Sequence, residues 1–389
     1  MKPLLAALGA GEGETRFVGG CVRDTLLGLP VSDVDLATRL APTQVMERLA
    51  RARIKAVPTG LAHGTVTAVV AGKPVEVTTL RRDVATDGRR ATIAYTDDWR
   101  EDAARRDFTI NALLADPATL DILDFFGGEA DLAERRVRFI GDPLTRIAED
   151  HLRILRFFRF FARFGAGEPD PAALDACAAR ANDLMALSRE RIADELTKLL
   201  ALPEPVAAVR LMVERGILKP VLPEIGADGA GRLERLVRRE KEAGVAPNAL
   251  RRLAALLPAE PDLAAAVAAR LRLSNRAAKR LVSAAARDPG DPRTPQVLAY
   301  ATGADEAVDR ILLGDGDPGA TAALAGWQRP RLRVGGGDLI AMGLAAGPVV
   351  ARTLQAIERE WAEAGFPPEG AAQRAIARRH VDQALREAQ

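Results

Sequence analysis

The spacing of apolar and polar positions divides the chain near residue 140. Up to that point short alternating runs trade places with short helical ones. Phe17 and Val18 lead into Gly19-Gly20, and Val34 to Thr38 has strand character. Pro42 to Ala52 has helical spacing with a proline in its first turn. Thr65 to Val70 and Val75 to Leu80 alternate with period two and are rich in β-branched residues. They predict two strands joined by Ala71-Gly72-Lys73-Pro74. Phe108 to Leu114 and Leu120 to Phe125 are further strand candidates. This half reads as α+β, with a small mixed sheet.

From Leu144 onward almost every run is helical: Ile147 to Phe164, Pro171 to Asn182, Arg189 to Leu202, Val206 to Arg215, and so on to the end. Gly216, Pro220, Pro223, Pro247, Pro258, Pro261 and Pro292 cut this half into short helices. No fixed-period repeat is visible. The expected organisation is a sheet-bearing segment up to about residue 140 followed by a long helical one.

Composition narrows the class. The 389 residues exceed the roughly 250 at which a single core stops growing, so two or more domains are expected. Hydrophobic residues are 48% and charged residues 28%, which excludes disordered, collagenous and fibrous chains. No apolar run approaches the roughly 18 residues of a membrane span. Met1 to Ala10 leads into Gly and Glu without a convincing cleavage site, so no signal peptide is expected. Cys21 and Cys177 can build neither a disulfide framework nor a Cys-rich zinc site, which fits a reducing cytoplasm.

The net charge of +2 does not announce a nucleic-acid binder. Yet only seven of the 55 basic residues are Lys. A GC-rich genome would give that bias, and so would bidentate recognition of phosphate or base edges. Position along the chain has to decide.

The segment from Phe17 to Asp35 is the richest in chemistry. Gly19 and Gly20 follow a strand, and a helix is expected to open at Asp24. Glycines there let backbone N–H groups approach a phosphate, and a helix N-terminus adds partial positive charge. Arg23 can clamp the same phosphate, or can be a surface residue beside a tight turn. Asp33 and Asp35, at i and i+2 of the expected strand, would share one face. Two such carboxylates repel unless a cation joins them, and hard oxygen donors suit Mg²⁺. Solvated strand faces also carry such pairs. A glycine turn thirteen residues upstream makes the cation reading stronger.

Gly-Gly-x-Val-Arg-Asp, then Leu-Leu-Gly, then Asp-x-Asp resembles the first motif of the class II tRNA nucleotidyltransferase/poly(A) polymerase family. That family belongs to the DNA-polymerase-β-like nucleotidyltransferase superfamily. Further segments resemble its motifs in order over roughly the first 215 residues. Gly60 to Val66, containing His63-Gly64-Thr65, resembles a hairpin of that family, with His63 positioning a loop. Glu76, on the next expected strand, is either the superfamily's third carboxylate or an ordinary surface or paired glutamate. Arg105-Arg106-Asp107-Phe-Thr-Ile-Asn111 resembles the second motif. It implies that the two arginines hold triphosphate oxygens, that Asp107 accepts from a ribose 2′-OH, and that Asn111 orients that Asp or the sugar.

Asp124-Phe-Phe-Gly127-Gly128 resembles the third motif, a hinge. Glu149-Asp150-His-Leu-Arg153-Ile-Leu-Arg156-Phe-Phe-Arg159 resembles the fourth. If that run is one helix, Asp150 and Arg153 are i, i+3 neighbours. Such a pair can read the amino group and adjacent acceptor that cytosine and adenine share, with Arg156 and Arg159 continuing the stripe. Without the upstream motifs it is an amphipathic helix with a basic face. Ser188 to Glu195 resembles the fifth motif, a capped helix start with Arg191 and Glu195 paired.

The resemblance implies a palm-like head at 1–140, a neck at 141–202, a body at 203–270 and a tRNA-binding tail at 271–389. It implies template-independent addition of C, C and A to tRNA 3′ ends from CTP and ATP, with Mg²⁺ on Asp33 and Asp35. Relatives with other products, poly(A), CC only or A only, remain open, as does a non-catalytic RNA-binding module. No C-terminal phosphohydrolase is expected, because His380 stands alone. Gly9-Ala-Gly11-Glu-Gly13 has the wrong spacing for a dinucleotide fold.

Overall fold

The structure, a computed structural model, describes residues 1–87, 90–368 and 370–387. The chain forms two compact units, Met1–Ala227 and Asp228–Gln389.

The first unit opens with α1 (Lys2–Ala7), β1 (Thr15–Val18), α2 (Gly20–Leu26), β2 (Asp35–Thr38) and α3 (Pro42–Arg51). β3 (Lys55–Gly60), β4 (Thr65–Val70) and β5 (Lys73–Thr79) follow, then a separate hairpin of β6 (Arg81–Asp87) and β7 (Arg90–Tyr95). α4 (Trp99–Ala104) leads to two short strands, β8 (Leu114–Ala115) and β9 (Ile122–Leu123). The seven-stranded sheet has the order β3-β4-β5-β2-β1-β8-β9. β2 and β5 pair in parallel and the other neighbours are antiparallel, so the sheet is mixed as expected. Leu4, Leu36, Leu49, Val66 and Val77 are fully buried in one apolar cluster. Val18, Leu80, Trp99, Leu114 and Ile140 form a second.

The helices of this unit continue with α5 (Gly128–Ala133), α6 (Pro143–Glu149), α7 (Arg153–Phe164), α8 (Pro171–Ala179), α9 (Arg189–Leu200) and α10 (Val206–Glu214). α7 fixes them to the sheet-bearing half. It buries Ile154, Leu155, Phe157, Phe158, Phe160, Phe161 and Phe164. Its Phe160 ring lies 5.1 Å from that of Phe108, which in turn lies 4.9 Å from Phe139. Aromatic pairs at such spacing add to plain area burial.

Four expectations are corrected locally. α2 begins at Gly20, not Asp24, because Gly19 takes φ 72° and turns the chain directly into the helix. β4 and β5 are joined by two residues, Ala71 and Gly72, both at positive φ, so Lys73 and Pro74 belong to the strand. Phe108 to Leu114 is interrupted by a 3₁₀ turn, Thr109–Asn111, and only Leu114 lies in a strand. There the Asp107 carboxylate accepts from the Phe108 N–H at 2.9 Å and the Asn111 amide at 3.0 Å, which competes with a strand ladder. Leu120 to Phe125 shrinks to β9, since the Asp116 carboxylate takes the Ala118 and Thr119 N–H groups into a turn.

The second unit is helical: α11 (Gly229–Glu242), α12 (Ala249–Leu256), α13 (Pro261–Arg270), α14 (Asn275–Ala285), α15 (Pro295–Thr302), α16 (Ala304–Leu313), α17 (Gly336–Ala341), α18 (Pro348–Glu363) and α19 (Gly370–Glu387). A buried ionic knot ties α11, α12, α14 and α16. Glu240 accepts from Arg251 at 2.7 Å and Arg252 at 2.9 Å, and Asp309 accepts from Arg251 at 2.8 Å and Arg280 at 2.6 Å. No helix among the described residues is long and apolar enough to cross a membrane.

Candidate active site

One cleft of about 910 Å³ in the first unit collects every site residue expected from the sequence. Gly19, Gly20, Arg23, Asp33, Asp35, Glu76, Arg105, Arg106, Asp107, Asn111, Asp150, Arg153, Arg156 and Arg159 all line it.

Its acidic wall comes from strand register. Asp35 opens β2 directly opposite Glu76 on β5. Asp33, however, precedes the strand, so it does not share a strand face with Asp35 by alternation. It approaches from an exposed irregular segment, where Ser32 Oγ donates to it at 2.9 Å. Burial, then Glu76, pushes the Asp35 carboxyl above its usual range, Arg106 opposes this, and Asp33 adds to it. Such crowding of hard oxygens fits a divalent cation, which would relieve the repulsion. Among the described residues no three acidic, His or Cys groups close around one point.

The basic wall is built on Asp102, which the sequence reading missed. This carboxylate is 1% exposed. It accepts from Arg105 Nε at 2.9 Å and from Arg106 Nη2 at 3.0 Å. Burial raises its pKa, but Arg106 and Arg105 overcome that and hold it low. An Asp three and four residues before two arginines on a helix was the available signal. Arg106 Nε is buried without a partner. Gly19 sits under this arginine: an added Cβ would lie 3.4 Å from Arg106 Nη1.

Arg23 lines the cleft with its guanidinium already engaged. Its side chain is buried, with Nε 2.8 Å from Asp24 Oδ1 and Nη1 2.5 Å from Asn111 Oδ1, and it lies 4.0 Å over the Phe164 ring. Asn111 passes the contact on to Asp107, whose second oxygen accepts from Arg156 Nε at 2.7 Å. Burial raises the Asp107 pKa, but Arg156, Asn111 and the Phe108 N–H outweigh it and hold the carboxyl below its usual range. Asp107 is thus fixed as an ionised acceptor at the cleft wall.

The expected single helix from Ile147 to Phe164 is broken. Asp150 is extended, with φ −152° and ψ 107°, between α6 and α7, and its Oδ1 takes the Leu152 N–H at 3.1 Å. Asp150 and Arg153 are therefore not side by side on one helix. Arg153 donates to Glu149 at 2.5 Å and to the Arg105 carbonyl at 2.9 Å. Asp150 accepts from Arg191 at 2.8 Å and 3.1 Å. Arg191 does not pair with Glu195 as expected; Glu195 instead accepts from Arg159. The Ser188 cap is present, taking the Arg191 N–H at 3.4 Å. Glu149, Arg191 and Glu195 buttress the cleft, and Asp24, Ser32, Phe160, Arg163 and Lys198 also line it.

The family description "Poly A polymerase head domain" matches residues 15–138, and "Probable RNA and SrmB- binding site of polymerase A" matches residues 168–228. The sheet and its cleft are thus those of a nucleotidyltransferase head. Over 94% of this chain and 87% of the relative, the sequence is 34% identical to the mitochondrial CCA tRNA nucleotidyltransferase 1 of Mus musculus. It is 31% identical to the CCA-adding enzyme of Limosilactobacillus fermentum over 93% and 92% of the two chains. A crystal structure of the Bacillus stearothermophilus CCA-adding enzyme in complex with CTP superposes with a TM-score of 0.77 at 28% identity, covering 99% of this chain and 100% of that one. The chain belongs to the CCA tRNA nucleotidyltransferase family.

Proposed function

We propose that this enzyme adds C, C and A to the 3′ ends of tRNA without a template, consuming CTP and ATP and releasing pyrophosphate. The observation that carries the reading is one cleft lined by Arg105 and Arg106 on one wall and by Asp33, Asp35 and Glu76 on another. Guanidinium forks beside clustered carboxylates match the phosphate oxygens of a nucleoside triphosphate and its divalent counter-ion.

The RNA 3′-hydroxyl attacks the α-phosphate; the new O–P bond forms as the bond to the β-phosphate oxygen breaks. Arg105 and Arg106, held by Asp102, donate to the triphosphate. Asp107, ionised and fixed by Asn111 and Arg156, accepts the ribose 2′-OH. Arg23 positions Asn111 and does not bind phosphate itself. Asp150 and Arg153 reach the base from the break between α6 and α7, and so read the pattern common to cytosine and adenine. Asp33 and Asp35, with Glu76 beside them, would hold Mg²⁺. Bound there, the ion supplies charge neutralisation and lowers the pKa of the attacking hydroxyl. Two buried, free thiols, Cys21 and Cys177, fit a reducing, cytoplasmic compartment.

The test is incubation with tRNA ending before CCA, offering CTP and ATP separately and together. Ordered addition of two C and one A is expected. Long A tails from ATP alone would replace this reading with a poly(A) polymerase.

A further inference from the structure

His151 shares its turn with Asp150. Asp150, His151 and Leu152 join α6 to α7, and their carbonyls start the new helix. Those of Asp150 and His151 accept from the Arg153 and Ile154 N–H groups at 3.0 Å and 3.2 Å. Asp150 and Arg153 line the cleft. The His151 ring turns instead to Asp183, on the 3₁₀ turn Ala181–Ala186 that follows α8.

His151 Nδ1 stands 3.6 Å from Asp183 Oδ2. Both atoms are buried, and neither has a hydrogen-bond partner. The two side chains are 16% and 29% exposed, so the contact is screened less than one on the open surface. The pair is complementary: a proton on the ring nitrogen supplies the donor that the carboxylate oxygen lacks. With both ring nitrogens protonated the contact becomes an ion pair.

The other charged groups nearby are already engaged. Arg180, at the end of α8, brings Nε to 2.6 Å from the same Asp183 oxygen, outside hydrogen-bond geometry. Arg191 of α9 holds Asp150, and Arg146 and Arg153 hold Glu149. Among the described residues, Asp183 is the carboxylate within ion-pair distance of the His151 ring.

We propose that His151 is a positioning residue for base selection: its contact with Asp183 ties the turn that bears Asp150 to the turn after α8, and the tie tightens when the ring is protonated. This rests on the reading that Asp150 and Arg153 select the base. The lever is short. Moving His151 shifts a carbonyl that seeds α7 and the peptide next to Asp150, while Arg191 still holds the Asp150 carboxylate from α9. Choice of C and A over U and G depends on hydrogen-bond register, which small displacements spoil. Histidine is the side chain that ordinarily changes charge between about pH 5 and 8. The tie is therefore stronger at the acidic end of that range and weaker at the basic end.

The measurement is the ratio of kcat/KM for CTP to that for UTP, on tRNA ending before CCA, at steps from about pH 6 to about pH 8. Ionisation of the RNA hydroxyl acts on both nucleotides alike and cancels in the ratio. In the full-length wild type the ratio should fall by about two- to fivefold as pH rises, the scale of one partly buried ion pair. His151→Gln keeps a neutral donor that cannot take the charge, so its ratio should be flat and should meet that of the wild type at the basic end. Asp183→Asn should be flat as well, and carries the test where His151→Gln folds poorly; Asp183→Glu should restore part of the slope. Melting curves at each pH establish which variants are folded. A wild-type ratio that does not move with pH, or one that moves equally in His151→Gln and Asp183→Asn, overturns the proposal. Asp150→Ala separates this inference from the reading beneath it. Loss of discrimination in Asp150→Ala, with the wild-type slope kept in His151→Gln, leaves base selection by Asp150 standing and sinks the role of His151 alone. A wild-type ratio in Asp150→Ala sinks the reading itself, and this inference with it.

Discussion

Asp35 and Glu76 face each other in register across the parallel pairing of β2 and β5. Neighbouring carboxylates oppose each other's ionisation, and the Asp35 carboxyl is raised accordingly, chiefly by burial and then by Glu76. The folded state therefore holds the Asp35 proton more tightly than the unfolded chain does. That contribution is present at low pH and is lost as pH rises through the raised pKa. Without divalent cation at neutral pH, Asp35→Asn should melt higher than the wild type, and the difference should close as pH falls through that pKa into the usual carboxyl range. If Asp35 holds the proposed cation, the same variant should lose incorporation by about 100-fold or more, because removing a metal ligand forfeits several kcal/mol of charge stabilisation. Identical melting at every pH, or near-wild-type turnover, would refute the role.

Asp107 is the opposite case. Burial raises it, but Arg156 and Asn111 hold it below the usual range, so its contribution to stability is present above that range and lost as pH falls through the depressed value. Asn111→Ala removes the 3.0 Å bond to Asp107 and leaves Arg23 Nη1 without its acceptor. We expect the preference for CTP over dCTP to fall by about tenfold, the value of one polar contact of 1–2 kcal/mol. Stability near pH 4 should fall with it. Ribose preference that survives in Asn111→Ala and in Asp107→Ala would remove Asp107 from sugar recognition.

Much of the cleft was legible because its residues sit in short, dense runs. Gly19-Gly20, Asp33-x-Asp35 and Arg105-Arg106-Asp107 announce their chemistry by residue type alone, and all reach one cavity. What periodicity could not reveal was the pairing. Arg23 and Asn111 are 88 positions apart, and Asp150 and Arg191 are 41 apart. A guanidinium that clamps phosphate and one that positions an amide look the same in a sequence. The fold was misread where side chains capture the backbone locally: Asp150 ends α6 and seeds α7, and Asp107 folds a turn where β-branched residues suggested a strand. A seven-stranded order with β2 between β5 and β1 depends on contacts too distant for any local pattern to encode.

Arg191 holds both oxygens of Asp150, and both side chains are about 30% exposed, at 29% and 30%. A pair this open to solvent contributes only modestly to stability, so its effect should lie in orientation. Arg191→Gln should leave the melting temperature within about 2 °C of the wild type. It should lower kcat/KM for CTP and ATP together by about tenfold, and narrow their lead over UTP and GTP. Asp150→Ala should narrow that lead further. Unchanged selectivity in both variants would show that the base is read elsewhere.

Gly128 is where the third motif presses on the second. A Cβ at this position would lie 2.3 Å from the Thr109 carbonyl oxygen and 2.9 Å from its carbon, so relief requires moving backbone. That backbone is pinned. Thr109 Oγ1 donates to the fully buried Asp131 at 2.6 Å, and Arg136 and Arg138 hold the same carboxylate at 2.7 Å and 3.0 Å. Gly128→Ala should therefore destabilise the first unit by about 2–3 kcal/mol, the usual cost of overpacking a rigid contact. In a unit of this size that is a fall of roughly 4–12 °C in its melting transition. The displaced turn carries Asn111, so the KM for CTP should rise even below the new melting temperature. An alanine variant with unchanged melting and KM would mean that the two motifs can slide apart, and that the glycine serves only the chain's bend at Gly127, whose φ is 78°.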